Sequence, residues 1–137
     1  MPEVNYLAVL VAAIVAYALG SVWYSPMLFA KVWMAENVLT MEKHKVNPPA
    51  MGPLLLIAFV CALIASFAMA VLLITPQHHS LVIGLKRGFA AGVCWIATAF
   101  GSSYAFEAKT LRHWMINAGH YVVQFTLMGA VLGLMNS

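Results

Sequence analysis

Four long stretches of this chain carry little or no charge, and short polar links separate them. The first runs from Val4 to Tyr24, the second from Pro53 to Thr75, the third over about residues 82–106 and the fourth from Leu111 to Met135. Each is close to the roughly 20 residues that cross the hydrocarbon core of a bilayer. Lys86 and Arg87 fall in the first turns of the third stretch, where long side chains reach back to the headgroups. The pattern predicts an all-α integral membrane four-helix bundle, with residues 1–137 forming a single domain.

Between the first two spans the pattern changes. Trp23 and Tyr24 have amphipathic rings of the kind that settle at the membrane–water boundary. Ser25-Pro26 reads as an N-cap followed by proline at the first helical position, so a new helix is expected at once. Over about residues 26–39, Leu28, Val32, Ala35 and Leu39 fall on one face, with Lys31 and Glu36 elsewhere. That predicts an amphipathic helix lying in the interface and anchored by Trp33. Glu42-Lys43-His44-Lys45 reads as a polar loop, and Asn47-Pro48-Pro49 forces an extended approach to the second span. Pro76 stops that span, and Gln77-His78-His79-Ser80 forms a polar link. Two adjacent histidines alone make an incomplete metal site.

Small residues recur every four positions inside the spans. Ala8, Ala12, Ala16 and Gly20 line the first, and Ala58, Ala62, Ser66 and Ala70 the second. Gly84, Gly88 and Gly92 line the third, and Gly129 and Gly133 give the fourth a GxxxG. Such seams let helix backbones approach closely. Seams on several spans lead to the expectation of a homo-oligomer or of docking into a larger membrane complex.

Composition sharpens the picture. The chain of 137 residues is 64% hydrophobic and only 8% charged, with a mean hydropathy of +0.90. A soluble domain carries about a quarter charged residues, so these few charges cannot build a water-facing surface. The net charge of +3 is spread between apolar runs, which suits lipid headgroups and argues against nucleic acid. Cys61 and Cys94 sit inside apolar runs and read as small hydrophobes. The amino terminus has an acid and no cation before the first run, so that run is read as a retained span rather than a cleaved signal. Lys31, Lys43 and Lys45 lie in the first link and Lys109 and Arg112 at the third, against Lys86 and Arg87 at the second. Cations in short loops stay cytoplasmic, so both termini are expected on the non-cytoplasmic side.

One constellation carries candidate chemistry. His113, Asn117, His120 and Gln124 are spaced four, three and four, which places all of them on one face of the fourth helix. His120 is about 13 Å along the axis from Leu111, near mid-membrane, where lipid cannot satisfy a polar group. The stripe therefore faces protein or water. It is either a path for protons or solutes, with His120 titrating, or a set of hydrogen bonds that holds helices together. Glu107, at the end of the third span, is either an ordinary interfacial charge or the mouth of that stripe. No cofactor, metal site or catalytic set is read: the chain contains no Asp, its glycines form seams rather than phosphate loops, and His113 and His120 are about 10 Å apart on one helix.

The Trp-Tyr-Ser-Pro run at Trp23 to Pro26 with Phe29 and Trp33, the pair Phe106-Glu107, and Ile116-Asn117-Ala118-Gly119 with Gly129 and Gly133 resemble the bacterial membrane proteins grouped as domain of unknown function 1761. The resemblance covers nearly the whole chain. Relatives tend to have glycine at the positions of Ala30 and Ala108, and Tyr-His where this chain has His120-Tyr121, a swap that turns the imidazole about 100° around the helix. What the resemblance implies is a four-helix membrane fold, expected in a bacterial inner membrane, with no activity attached. The expected function is an accessory or structural subunit of a membrane assembly. The alternative is a small homo-oligomeric transporter or channel lined by the fourth-span stripe.

Overall fold

The computed structural model describes residues 3–74 and 79–135. These form six helices and, among the described residues, no strand. Helix α1 is Tyr6–Trp23, α2 Ala30–Glu36, α3 Val38–Val46, α4 Met51–Leu72, α5 Leu81–Phe106 and α6 Leu111–Met135. Helices α1, α4, α5 and α6 are long and apolar enough to cross a membrane. Large apolar side chains such as Leu56, Ile57, Ile64 and Leu72 stand exposed along α4. A water-soluble surface rarely presents so continuous an apolar patch. The protein is a multi-pass membrane protein. Pro76, Gln77 and His78 of the expected polar link lie outside the described residues.

Helix α6 is central. It packs against α1 on one side and α5 on the other, while α4 packs mainly on α1. The apolar core draws on three helices: Ala8, Ala12, Ala13 and Ala16 of α1, Ala62, Met69 and Ala70 of α4, and Met128 and Leu132 of α6. Ser66 is fully buried there and donates to the Val9 carbonyl at 2.8 Å, so its hydroxyl joins two helices rather than standing as an orphan. Where α1 begins, Asn5 caps it by accepting from Ala8 N–H, and its amide donates to the Met135 carbonyl at 2.9 Å. The start of α1 and the end of α6 are thereby tied together.

The glycine seams of α5 and α6 face each other. A Cβ on Gly84 would lie 1.9 Å from the Gly129 carbonyl oxygen, one on Gly88 2.2 Å from that of Phe125, and one on Gly133 2.2 Å from that of Ser80. Only glycine permits this backbone approach. Ala8, Ala12 and Ala16 are likewise buried inside the chain. These seams are spent on intramolecular packing, so they supply no argument for a second copy.

Three local features differ from the pattern reading. Ser25 does not cap a helix: its hydroxyl donates back to the Val22 carbonyl at 2.6 Å, finishing α1, and residues 24–29 form turns. The expected helix over 26–39 is instead two, broken at Asn37, whose side-chain amide donates to the Trp33 carbonyl at 2.8 Å. That bond occupies an acceptor at the end of α2 and favours a break, as asparagine side chains commonly do. The residues read as a polar loop, Glu42 to Lys45, are helical within α3, with Lys43, His44 and Lys45 in its last turn. Cations there complement the helix dipole. Within α5, residues Gly92–Ala97 form a π-helical segment.

Candidate functional site

Aromatic and polar groups gather at the end of the bundle opposite the chain termini, where α1 finishes, α5 finishes and α6 begins. The sequence places them there by position: Trp23 and Tyr24 at the end of α1, Tyr104 in the last turn of α5, and His113 to Asn117 in the first turns of α6. Tyr24 donates its hydroxyl to Asn117 Oδ1 at 2.8 Å, and Asn117 Nδ2 donates to the Tyr104 hydroxyl at 2.8 Å. One amide thus bridges two phenols from different helices. Trp23 Nε1 donates to the Ile116 carbonyl at 3.0 Å, and Gly119 leaves room for its ring: a Cβ there would sit 3.4 Å from Trp23 Cζ2. Both rings expected at headgroup level turn inward onto α6.

A ring of contacts closes the rim. Asn37 Nδ2 lies 3.4 Å from His113 Nε2. Thr110, which caps α6 by accepting from His113 N–H, donates its hydroxyl to Glu36 at 2.7 Å. Glu107 and Lys109 form an ion pair at 2.8 Å, and the Lys109 ammonium sits 4.4 Å from the centre of the Tyr104 ring. The hydrogen bond from Lys109 holds the Glu107 carboxyl below its ordinary range and raises the lysine above its own. Both charges face solvent, where such a pair contributes little to stability. Its consequence is local: it parks a cation on Tyr104.

The π-helical segment also bears on the site. Trp114 Nε1 donates to the Ala97 carbonyl at 2.9 Å, at the end of that segment. Beyond it, Phe100 and Tyr104 stack with ring centres 5.4 Å apart and planes 6° apart. Phe100 meets Tyr121 edge-on at 5.4 Å. Such segments inside α-helices are frequent at functional sites.

These rings border a cleft of about 490 Å³ lined by Tyr24, Ala30, Trp33, Met34, Met41, Phe100, Tyr104, Asn117 and Tyr121. Its volume lies within the usual range for small-molecule sites. A second cleft of about 620 Å³, more apolar, lies beside Trp23 and Phe29, with Arg112 its one charged lining residue.

The four stripe residues separate by partner. Asn117 is the bridge, and His113 meets Asn37 and the Tyr104 ring, 5.1 Å between centres. His120 is 6% exposed, and neither ring nitrogen has a hydrogen-bond partner among the described residues. It packs behind the cleft wall, 5.2 Å from Tyr24 and 4.7 Å from Tyr121 between ring centres. Gln124 is buried one turn deeper. Glu107 stays at the rim. Tyr104, Tyr121, Phe100, Trp114 and Asn37 carried no signal in the sequence, because each sits in an apolar or amphipathic run where an aromatic or amide is ordinary. Among the described residues no three His, Cys, Asp or Glu side chains come together.

Residues 7–133 match the family model described as protein of unknown function, DUF1761. The chain belongs to the DUF1761 family. No curated protein and no solved structure matches it. In this DUF1761 chain two of the stretches that carried the resemblance meet in space. Tyr24 bonds Asn117, Trp23 bonds the Ile116 carbonyl, and the Trp23 ring rests on Gly119.

Proposed function

We propose that this protein is a ligand-holding subunit of a membrane assembly, in which the aromatic cleft receives a small molecule and the glycine-sealed end of the bundle closes it. The observation that carries this reading is the Tyr24–Asn117–Tyr104 bridge opening onto a cleft of about 490 Å³. The alternative, a conduit along the fourth-span stripe, has less support. One turn past Gln124, Met128 is fully buried in the apolar core with Ala8 and Ala12 of α1, and a path along the stripe requires that core to part. The stripe serves binding at Asn117 and helix cohesion at His113.

By its family resemblance the protein sits in the bacterial inner membrane, by the charge of its links both termini lie on the non-cytoplasmic side, and the cleft then opens toward the cytoplasm. Lipid surrounds the outward apolar faces, and assembly with further copies or other subunits uses those faces rather than the seams.

The test is retention of a ligand. Wild-type protein reconstituted in nanodiscs and examined by native mass spectrometry is expected to keep a small organic molecule that Ala30→Trp, which fills the cleft from its lining, releases. Liposomes bearing the protein should show no flux above empty vesicles. Equal retention by the filled variant, or robust flux, overturns the reading.

A further inference from the structure

The inference concerns what the cleft takes, and it rests on the cleft being a binding site as proposed above. The bridge of two phenols and one amide contains four donor hydrogens, two on hydroxyls and two on the amide nitrogen. Its two hydrogen bonds use one hydroxyl proton and one amide proton. With the amide as placed, the Tyr104 proton is left over. With the amide turned over, the Tyr24 proton is left over instead. In either arrangement one phenol proton at the cleft has no acceptor among the described residues. Facing the cleft, that proton is left to water or to an acceptor on a ligand.

The remaining lining excludes most ligand classes. No lining residue is charged, and the Lys109 ammonium beside Tyr104 is already paired with Glu107, so a desolvated anion would find no free counter-charge. Aromatic walls alone would suit an organic cation. Here, however, the Lys109 ammonium already lies over the Tyr104 ring at 4.4 Å. That ammonium already takes a face of the Tyr104 ring and polarises its hydroxyl as a donor. An uncharged ring compound meets neither objection. Its face can lie against Trp33, Phe100 or Tyr121, as aromatic pairs do, and its oxygen can take the spare proton.

We propose that the cleft binds an uncharged, lipid-soluble ring compound bearing a carbonyl oxygen, of which quinones are the representative class, with the carbonyl accepting from the spare tyrosine hydroxyl of the Tyr24–Asn117–Tyr104 bridge. Binding is the whole of the claim; no electron or group transfer is involved.

The experiment uses the full chain in nanodiscs and reads Trp33 emission as the difference between wild type and Trp33→Phe. The probe is decylubiquinone, with decylbenzene as the match lacking carbonyls and tetraphenylphosphonium as the lipophilic cation. Saturable quenching by the quinone is expected, with no displacement by decylbenzene. Tyr104→Phe should weaken quinone affinity about five- to tenfold, the net of one hydrogen bond. The comparison of probes needs only wild type and Trp33→Phe to fold. If decylbenzene binds as tightly as the quinone, or the phosphonium displaces it at lower concentration, the ligand class is overturned while the cleft remains a binding site. If no probe changes Trp33 emission saturably in monodisperse protein, the binding reading itself falls, and this inference with it.

Discussion

Replacing Asn117 by leucine removes the centre of the polar bridge while keeping a side chain of similar size on α6. Two hydrogen bonds of 2.8 Å disappear, one accepted from Tyr24 and one donated to Tyr104. Side-chain hydrogen bonds between membrane helices average about 0.6 kcal/mol, with a maximum near 1.7. Two of them therefore place the loss at about 1–3 kcal/mol. The measurement is unfolding by sodium dodecyl sulfate titration from mixed micelles, applied to Asn117→Leu, Tyr24→Phe, Tyr104→Phe and the double variants. Each tyrosine should cost about 0.6–1.7 kcal/mol with Asn117 present and close to nothing in its absence, because the hydroxyl then has lost its partner already. The coupling is the diagnostic quantity, since lost packing alone would leave the costs additive. Coupling below about 0.3 kcal/mol for both tyrosines, within the scatter of independent sites, would refute the bridge and remove the polar wall from the cleft.

Other consequences are measurable in the same system. Gly84→Ala puts a Cβ 1.9 Å from the Gly129 carbonyl and should destabilise by at least about 1–3 kcal/mol, whereas Gly52→Ala, with nothing within 4 Å, should be neutral or stabilising. Ala108, with φ 55°, occupies the left-handed position that ends α5, and the bonds Lys109 N–H to Tyr104 and Ala108 N–H to Ala105 complete a Schellman cap. Ala108→Gly should therefore stabilise, by about 0.5–1 kcal/mol once the extra freedom of unfolded glycine is subtracted from the left-handed strain; a loss of stability would contradict the cap. In a background with Cys61 and Cys94 replaced by serine, Glu3→Cys should react with an impermeant maleimide in spheroplasts while Lys43→Cys reacts only in inverted vesicles, and the opposite result reverses the orientation.

The four spans were legible because membrane solvation is a local property: an uninterrupted apolar run of sufficient length declares itself whatever it packs against. The seams were equally visible as spacing, but spacing states that a backbone comes close and not which one. Gly84 and Gly129 serve each other, so their spacing is accounted for within one chain. The stripe on α6 was read from its period, yet its partners could not be. Tyr24 and Tyr104 lie on other helices than Asn117, 93 and 13 residues away, and nothing local distinguishes a phenol that reaches a lipid headgroup from one that reaches an amide. Ser25 shows a different limit. Its hydroxyl can cap the helix ahead or satisfy a carbonyl behind, and the Val22 carbonyl won. The charged run in α3 misled because polarity signals solvent, and a solvated segment can still be helical. The π-helical segment left no mark, since Gly-Val-Cys-Trp-Ile-Ala is unremarkable in an α-helix.

The two ends of the α5–α6 pair differ for a single reason, the size of what stands between the backbones. At Gly84, Gly88 and Gly129 nothing stands between them, and an added methyl would meet a carbonyl. At the other end Phe100, Tyr104 and Tyr121 stand there, stacked or edge-on at 5.4 Å. Helices pinned together at one end and held apart by rings at the other form a wedge. Flat rings fill a wedge poorly at its open side, which is where the cleft of about 490 Å³ lies. A wedge admits a molecule and stops it. The sealed seam is therefore part of the argument for binding: enlarging Gly88, where a Cβ would lie 2.2 Å from the Phe125 carbonyl, should widen the closed end and loosen any ligand in the cleft, although Gly88 lines neither cleft.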